Sequence, residues 1–145
     1  SVMADCEIVL RFFALKDMNY FKGGMKRALD DCMKRMKSLS KKECLALKVK
    51  YLNCLEIASK TFGPILFRLP NKKGELIARH SVPLSDAILL GINSLNNTEK
   101  RTIQASSAKV VGEMKKMLNS EESYKTLVGH ANTKSSIVDR IDLVT

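Results

Sequence analysis

Few residues in this chain are of types that do chemistry, and their spacing limits what each can be. Four cysteines stand at Cys6, Cys32, Cys44 and Cys54, and two histidines at His80 and His130. A zinc site is built from ligands paired a few residues apart, and these thiols are not so placed. The cysteines therefore read as buried, reduced thiols on helix faces, which implies a reducing, cytoplasmic setting. Arg79-His80, with Asp86 after them, puts an imidazole, a guanidinium and a carboxylate near one helix start, which is what a small enzyme would have to use. With no nucleophile elbow in the chain, a structural or solvent-exposed role is the plainer reading of that trio. Gly129-His130-Ala131-Asn132-Thr133-Lys134-Ser135 ends like a phosphate loop, yet it has neither the glycine before Lys-Ser nor a preceding strand. No residue is assigned a catalytic, cofactor or metal-binding role, and no cofactor is expected in this chain.

Charged residues are more informative. Arg11 is the lone cation inside the apolar run Ile8 to Leu15, and Glu7 lies four residues before it. That is the favoured orientation for an ion pair along a helix, so Glu7 and Arg11 are expected to form a structural pair, with Arg11 substantially buried and engaged with Glu7 or another carboxylate or carbonyl. The chain carries a net +10, of which +6 falls in residues 1–62. A basic balance favours nucleic acid or another acidic partner. Most lysines in the second helix have acids at spacing four, as in Lys26 with Asp30 and Arg27 with Asp31, and read as a salt-bridged solvent face. Lys37, Lys41 and Lys42 do not: neither Lys37 nor Lys41 has an acid four residues away, and Lys42 lies beside only Glu43. These three are the candidate nucleic-acid contacts, sequence-independent and strongly salt-dependent.

The elements that position these residues follow from periodicity and caps. Asp5 to Leu15 is apolar around most of a helical wheel, which marks a helix buried on several sides. Gly23-Gly24 punctuates, and Met25, Ala28, Leu29, Cys32, Met33, Met36 and Leu39 form the apolar stripe of a second helix to about Ser38. Ser40-Lys41-Lys42-Glu43 has capping-box spacing and opens a third helix, which Gly63-Pro64 ends. Its apolar residues, Leu45 to Phe62, spread widely, so it is expected to be central and packed by several neighbours. Residues 66–78 read as a small hairpin or an extended crossing with a turn at Pro70 to Gly74. Ser81-Val82-Pro83 opens a fourth helix to about Leu95 with Asp86 near its positive end, and Thr98 is placed to cap a fifth, from Glu99 to Leu118. A short helix over residues 120–128, the loop Gly129 to Asn132 and a Thr133-capped last helix complete the chain. The expectation is an all-α single domain of about six to seven helices, of a length that buries a real core. Its apolar runs fall short of the ~18–20 residues a membrane span needs. Opening Ser1-Val2-Met3, the chain is read as a fragment of a longer protein.

Taken together, these stretches resemble the helical part of the GmrSD-like restriction and phage-defence family. The resemblance rests on Asp5-x-Glu7-x-Val9-Leu10-Arg11-Phe12-x-Ala14, on Met25, Leu29 and Met33, and on Phe62-Gly63 with Phe67-Arg68. It continues through Leu84-x-Asp86-Ala87, Gly129 to Thr133 and Val138-x-Arg140-Ile141, with Ser85 standing where the family has a phenylalanine. The resemblance implies an N-terminal ParB/sulfiredoxin-like module with an Asp-Gly-Gln-Gln-Arg motif that hydrolyses nucleotide, and often a C-terminal HNH-type nuclease. Neither motif occurs in this chain. Its implied role is a non-catalytic body that supports the nucleotide module and touches DNA. The competing expectations are a stand-alone basic nucleic-acid-binding protein and, last, a small enzyme using the His80 region.

Overall fold

The computed structural model describes residues 2–129 and 132–145, and His130 and Ala131 of the expected loop lie outside them. The fold is all-α, and the described residues form eight α-helices and one two-stranded hairpin: α1 (Val2–Leu15), α2 (Met25–Lys37), α3 (Lys41–Phe62), β1 (Arg68–Pro70), β2 (Leu76–His80), α4 (Val82–Ser94), α5 (Asn97–Ala105), α6 (Ser107–Asn119), α7 (Glu121–Val128) and α8 (Lys134–Val144).

Helix α4 is the hub. Residues Leu84 through Ile92 are buried without interruption, because α1, α3, α7 and α8 all pack on it and cover every side of its wheel. Ser81 caps it through the Leu84 amide, with proline in the first turn, where the missing N–H costs nothing. Gly91 leaves room for the end of α8: a Cβ there would lie 3.2 Å from Val144 Cγ2. Helix α1 packs on α2 and α4, burying Ile8, Phe12, Phe13 and Leu15, and Phe12 stands edge-on to Tyr51 at 5.3 Å.

Helix α3 begins with the capping box that Ser40 and Glu43 announce, and the Glu43 carboxylate returns to the Ser40 amide at 2.8 Å. Gly63, at φ 53°, ends it in a conformation that side-chain-bearing residues resist. The chain then turns into the hairpin, whose antiparallel register pairs Arg68 with His80 and Pro70 with Leu76. Pro70 is tolerated because a two-stranded sheet consists only of edges. Phe67, buried at φ 59°, occupies a backbone region unusual for a bulky residue. Its ring is held in the core at the point where α3 gives way to the hairpin.

Five expectations need correction. The single fifth helix is two, α5 and α6, broken at Ser106 (φ −110°, ψ 29°); no glycine or proline marks the break, which re-aims the apolar stripe so that Ile103 and Met114 both face α4 across one groove. The cap of α5 is Asn96, paired with Glu99 in a second capping box, and Thr98 is already inside the helix. Helix α3 is not wrapped on all sides: Cys54, Ala58 and Phe62 are buried, while Leu45, Val49 and Leu52 are exposed, because the neighbours of α3 cover its other face. On α2, Met33 lies in solvent, since only a narrow strip around Ala28 and Cys32 faces the core. Of the cysteines, Cys32 and Cys54 are buried but Cys6 and Cys44 are exposed, and all four are free thiols.

Candidate functional site

Three charged residues from three separate helices meet in the interior. Arg11 on α1, Asp86 on α4 and Arg140 on α8 are 3%, 3% and 1% exposed. Arg11 Nε donates to both carboxylate oxygens of Asp86 at 3.0 Å, and its Nη2 donates to Oδ2 as well. Arg140 brings Nη1 to 3.8 Å from the same oxygen, while its Nε and Nη2 donate to the Thr126 and Gly129 carbonyls at 3.2 and 3.0 Å. Those carbonyls lie at the C-terminal end of α7, where helical C=O groups are left over and the dipole favours a cation. Asn132 Oδ1 accepts from Arg11 Nη2 at 3.4 Å. Glu7 reaches Arg11 Nη1 at 3.6 Å from a half-exposed position.

The electrostatics of the cluster follow from burial. Desolvation pushes the Asp86 carboxyl up from its ordinary range, against the hydrogen bonds and charge of Arg11 and the charge of Arg140. Desolvation likewise lowers the Arg140 guanidinium, opposed by Asp86, but arginine keeps its proton in a protein interior. Two guanidinium groups thus share one buried carboxylate, and Glu7 at the rim supplies the second negative charge. The arrangement clasps α1 to α4 and α8 and holds Gly129 and Asn132 against them. It offers no nucleophile, and none of the three residues lines any of the cavities described below.

The Glu7–Arg11 pair expected from the helix spacing is present, and the other carboxylate that Arg11 engages is Asp86, which the sequence placed only at a helix dipole and which lies 75 residues away. A signal was there for two of the three buried charges: Arg11 and Asp86 are each the lone charge in an apolar stretch, and a buried charge is found paired; Arg140, between Asp139 and Asp142, gave none. Asp86 does not join Arg79 and His80. His80, exposed at the end of β2, has its ring 6.0 Å from and edge-on to that of Phe67. It borders a cavity of about 390 Å³ with Asp5, Tyr51 and Arg68 at its edges and Ile8 and Phe67 in its floor. A larger cavity, about 460 Å³ and mostly apolar, lies among α4, α5, α6 and the end of α8.

The candidate nucleic-acid contacts cluster where α2 meets α3. Lys37 is the last residue of α2, and Lys41 and Lys42 are the first two of α3. All three are exposed, and among the described residues no carboxylate lies within 4 Å of their amines. Lys37 suits the negative end of α2; Lys41 and Lys42 stand against the positive end of α3. No group of residues able to hold a metal ion occurs among the described residues, nor does a helix long and apolar enough to cross a membrane. In comparisons with known proteins the chain matches no family model, no curated protein and no solved structure.

Proposed function

We propose that this chain is a non-catalytic helical module of a GmrSD-like DNA restriction and phage-defence protein, the body on which a nucleotide-hydrolysing N-terminal module is carried. The observation that supports this reading is the convergence of Arg11, Asp86 and Arg140. These residues come from three separate stretches of the resemblance, and their meeting in one buried cluster is what a shared helical body requires of them. A cluster of this kind rigidifies a scaffold and performs no chemistry. The test is the natural gene product: its intact mass, and nucleotide hydrolysis by the whole protein against residues 1–145 alone. An upstream Asp-Gly-Gln-Gln-Arg segment, with hydrolysis only in the longer protein, is the expected result. A natural product no longer than this chain overturns the reading.

A second reading, a stand-alone basic nucleic-acid-binding protein, is favoured by the unpaired exposed amines of Lys37, Lys41 and Lys42. Non-specific contacts of that sort bind at roughly 10⁻⁴–10⁻⁶ M at physiological salt. Fluorescence anisotropy on a labelled duplex across a salt series tests it, and absence of binding at low salt removes it.

A further inference from the structure

The outward face of α3 carries an apolar ridge that nothing in the fold covers. Leu45, Val49 and Leu52 are 60%, 49% and 46% exposed. Their spacing of four and then three puts them on one stripe, about two turns long. Apolar side chains exposed singly need no explanation, but three in register along one helix have the seam pattern by which a helix is recognised by another helix. Lys41 and Lys48 lie along one side of the stripe on the helical wheel and Lys42 along the other, all exposed. Glu56 lies past the end of the ridge and is already held by Lys60 at 2.6 Å. At the near end, Glu43 is turned back into the Ser40 cap. No carboxylate along the ridge is therefore left to face a partner.

We infer that the Leu45–Val49–Leu52 ridge docks an amphipathic helix of another protein, one with its own apolar seam flanked by Asp or Glu. Charge decides among the occupants. In an antiparallel pairing of two copies Lys48, beside the centre of the ridge, would meet its own equivalent, and a parallel pairing would set Lys41, Lys42 and Lys48 each level with its copy; like charges flanking a seam select against both. Three aliphatic side chains also fall far short of the ~800 Å² per partner that a stable dimer buries. Nucleic acid would use the lysines but would strand the leucines against phosphates and water. An acid-flanked helix uses both features, and Lys41 and Lys42, which oppose the dipole of their own helix, acquire a role. This inference stands apart from the family reading and needs no upstream module.

The test uses the chain as it stands and three synthetic peptides of about three helical turns each. One has a leucine seam flanked by glutamates, one the same seam flanked by lysines, and one glutamate flanks around a glutamine seam. Binding is read by amide chemical-shift changes. The expected result is that the first peptide alone binds, with shifts confined to the outer face of α3. Replacing Leu45→Gln and Leu52→Gln together should weaken it at least tenfold while leaving the rest of the amide spectrum in place, since both side chains are in solvent. Equal binding of the glutamine-seam peptide would reduce the site to a charge patch and overturn the inference. So would shifts elsewhere on the fold, binding of no peptide, or a duplex DNA that displaces the first peptide while binding the leucine-to-glutamine variant as tightly as wild type.

Discussion

Asp86→Ala should be the most damaging single substitution in this protein that removes no packing volume of consequence. It takes away the carboxylate that Arg11 meets with three hydrogen bonds and that Arg140 faces at 3.8 Å, and it leaves two nearly inaccessible guanidinium groups confronting each other. Removing one partner of a buried ion pair costs ~3–5 kcal/mol, because the remaining charge keeps its desolvation penalty without its Coulombic return. Arg140 retains two carbonyl acceptors and Arg11 retains Glu7 and Asn132, so the loss stays within that interval. Against a total stability on the order of 7–22 kcal/mol for a domain of this length, that is a large fraction. At ~3–4 °C per kcal/mol, the melting temperature should fall by about 10–20 °C. Glu7→Ala supplies the contrast: its carboxylate is 47% exposed, and exposed pairs are worth ~0–1 kcal/mol. Thermal melting followed by far-UV circular dichroism reads both variants. The combination of Arg11→Met with Asp86→Leu should cost less than the two single substitutions added together, since no carboxylate is then stranded. A melting temperature for Asp86→Ala within ~4 °C of wild type, or a Glu7→Ala variant as damaged as Asp86→Ala, would refute the assignment of Asp86 as the principal partner of Arg11.

Other expectations follow from local geometry. Two thiols, Cys6 and Cys44, should react rapidly with an aromatic disulfide reagent in the native protein, while Cys32 and Cys54, buried and pushed up by desolvation, react only on unfolding; four fast thiols would contradict the packing of α2 and α3. The Ser40 hydroxyl, and then the Ser40 amide, hold Glu43 below its ordinary 4.5, so the capping box adds stability above that pH and loses it as pH falls through the lower folded value. Amide-exchange protection in the first turn of α3 should decline there in wild type, and Ser40→Ala should abolish that dependence. Gly63→Ala meets no atom within 4 Å yet forces alanine to φ 53° with ψ −130°, a sparsely populated region, and should cost ~1–3 kcal/mol in denaturant unfolding. Changing Lys37, Lys41 and Lys42 together to glutamine should leave the melting curve unchanged; if the wild type binds duplex DNA, it should also flatten the slope of log affinity against log salt by ~0.9 for each phosphate released.

What could be read from the chain was local. Ser40 with Glu43, Gly63 with Pro64, Ser81 with Pro83 and Thr133 before α8 announce their helix ends because caps are hydrogen bonds between residues a few positions apart. The hairpin was legible as well, since its turn lies between two short apolar runs. The break at Ser106 was not, for serine is compatible with both a helix and its interruption, and the bend is set by tertiary packing that lays both α5 and α6 on α3. Periodicity shows that a face is apolar and leaves open what it meets, so Met33 and the Leu45 ridge look like core in sequence and lie in solvent in the fold. The pairing of Arg11 with Asp86 and Arg140 belongs to the same class. Glu7 was the only acid the helix itself could offer Arg11, and only the packing of α1 and α8 onto α4 carries a carboxylate 75 residues away to within hydrogen-bonding distance. Burial then makes that distant partner the stronger one, because a charge interaction gains most where water is excluded.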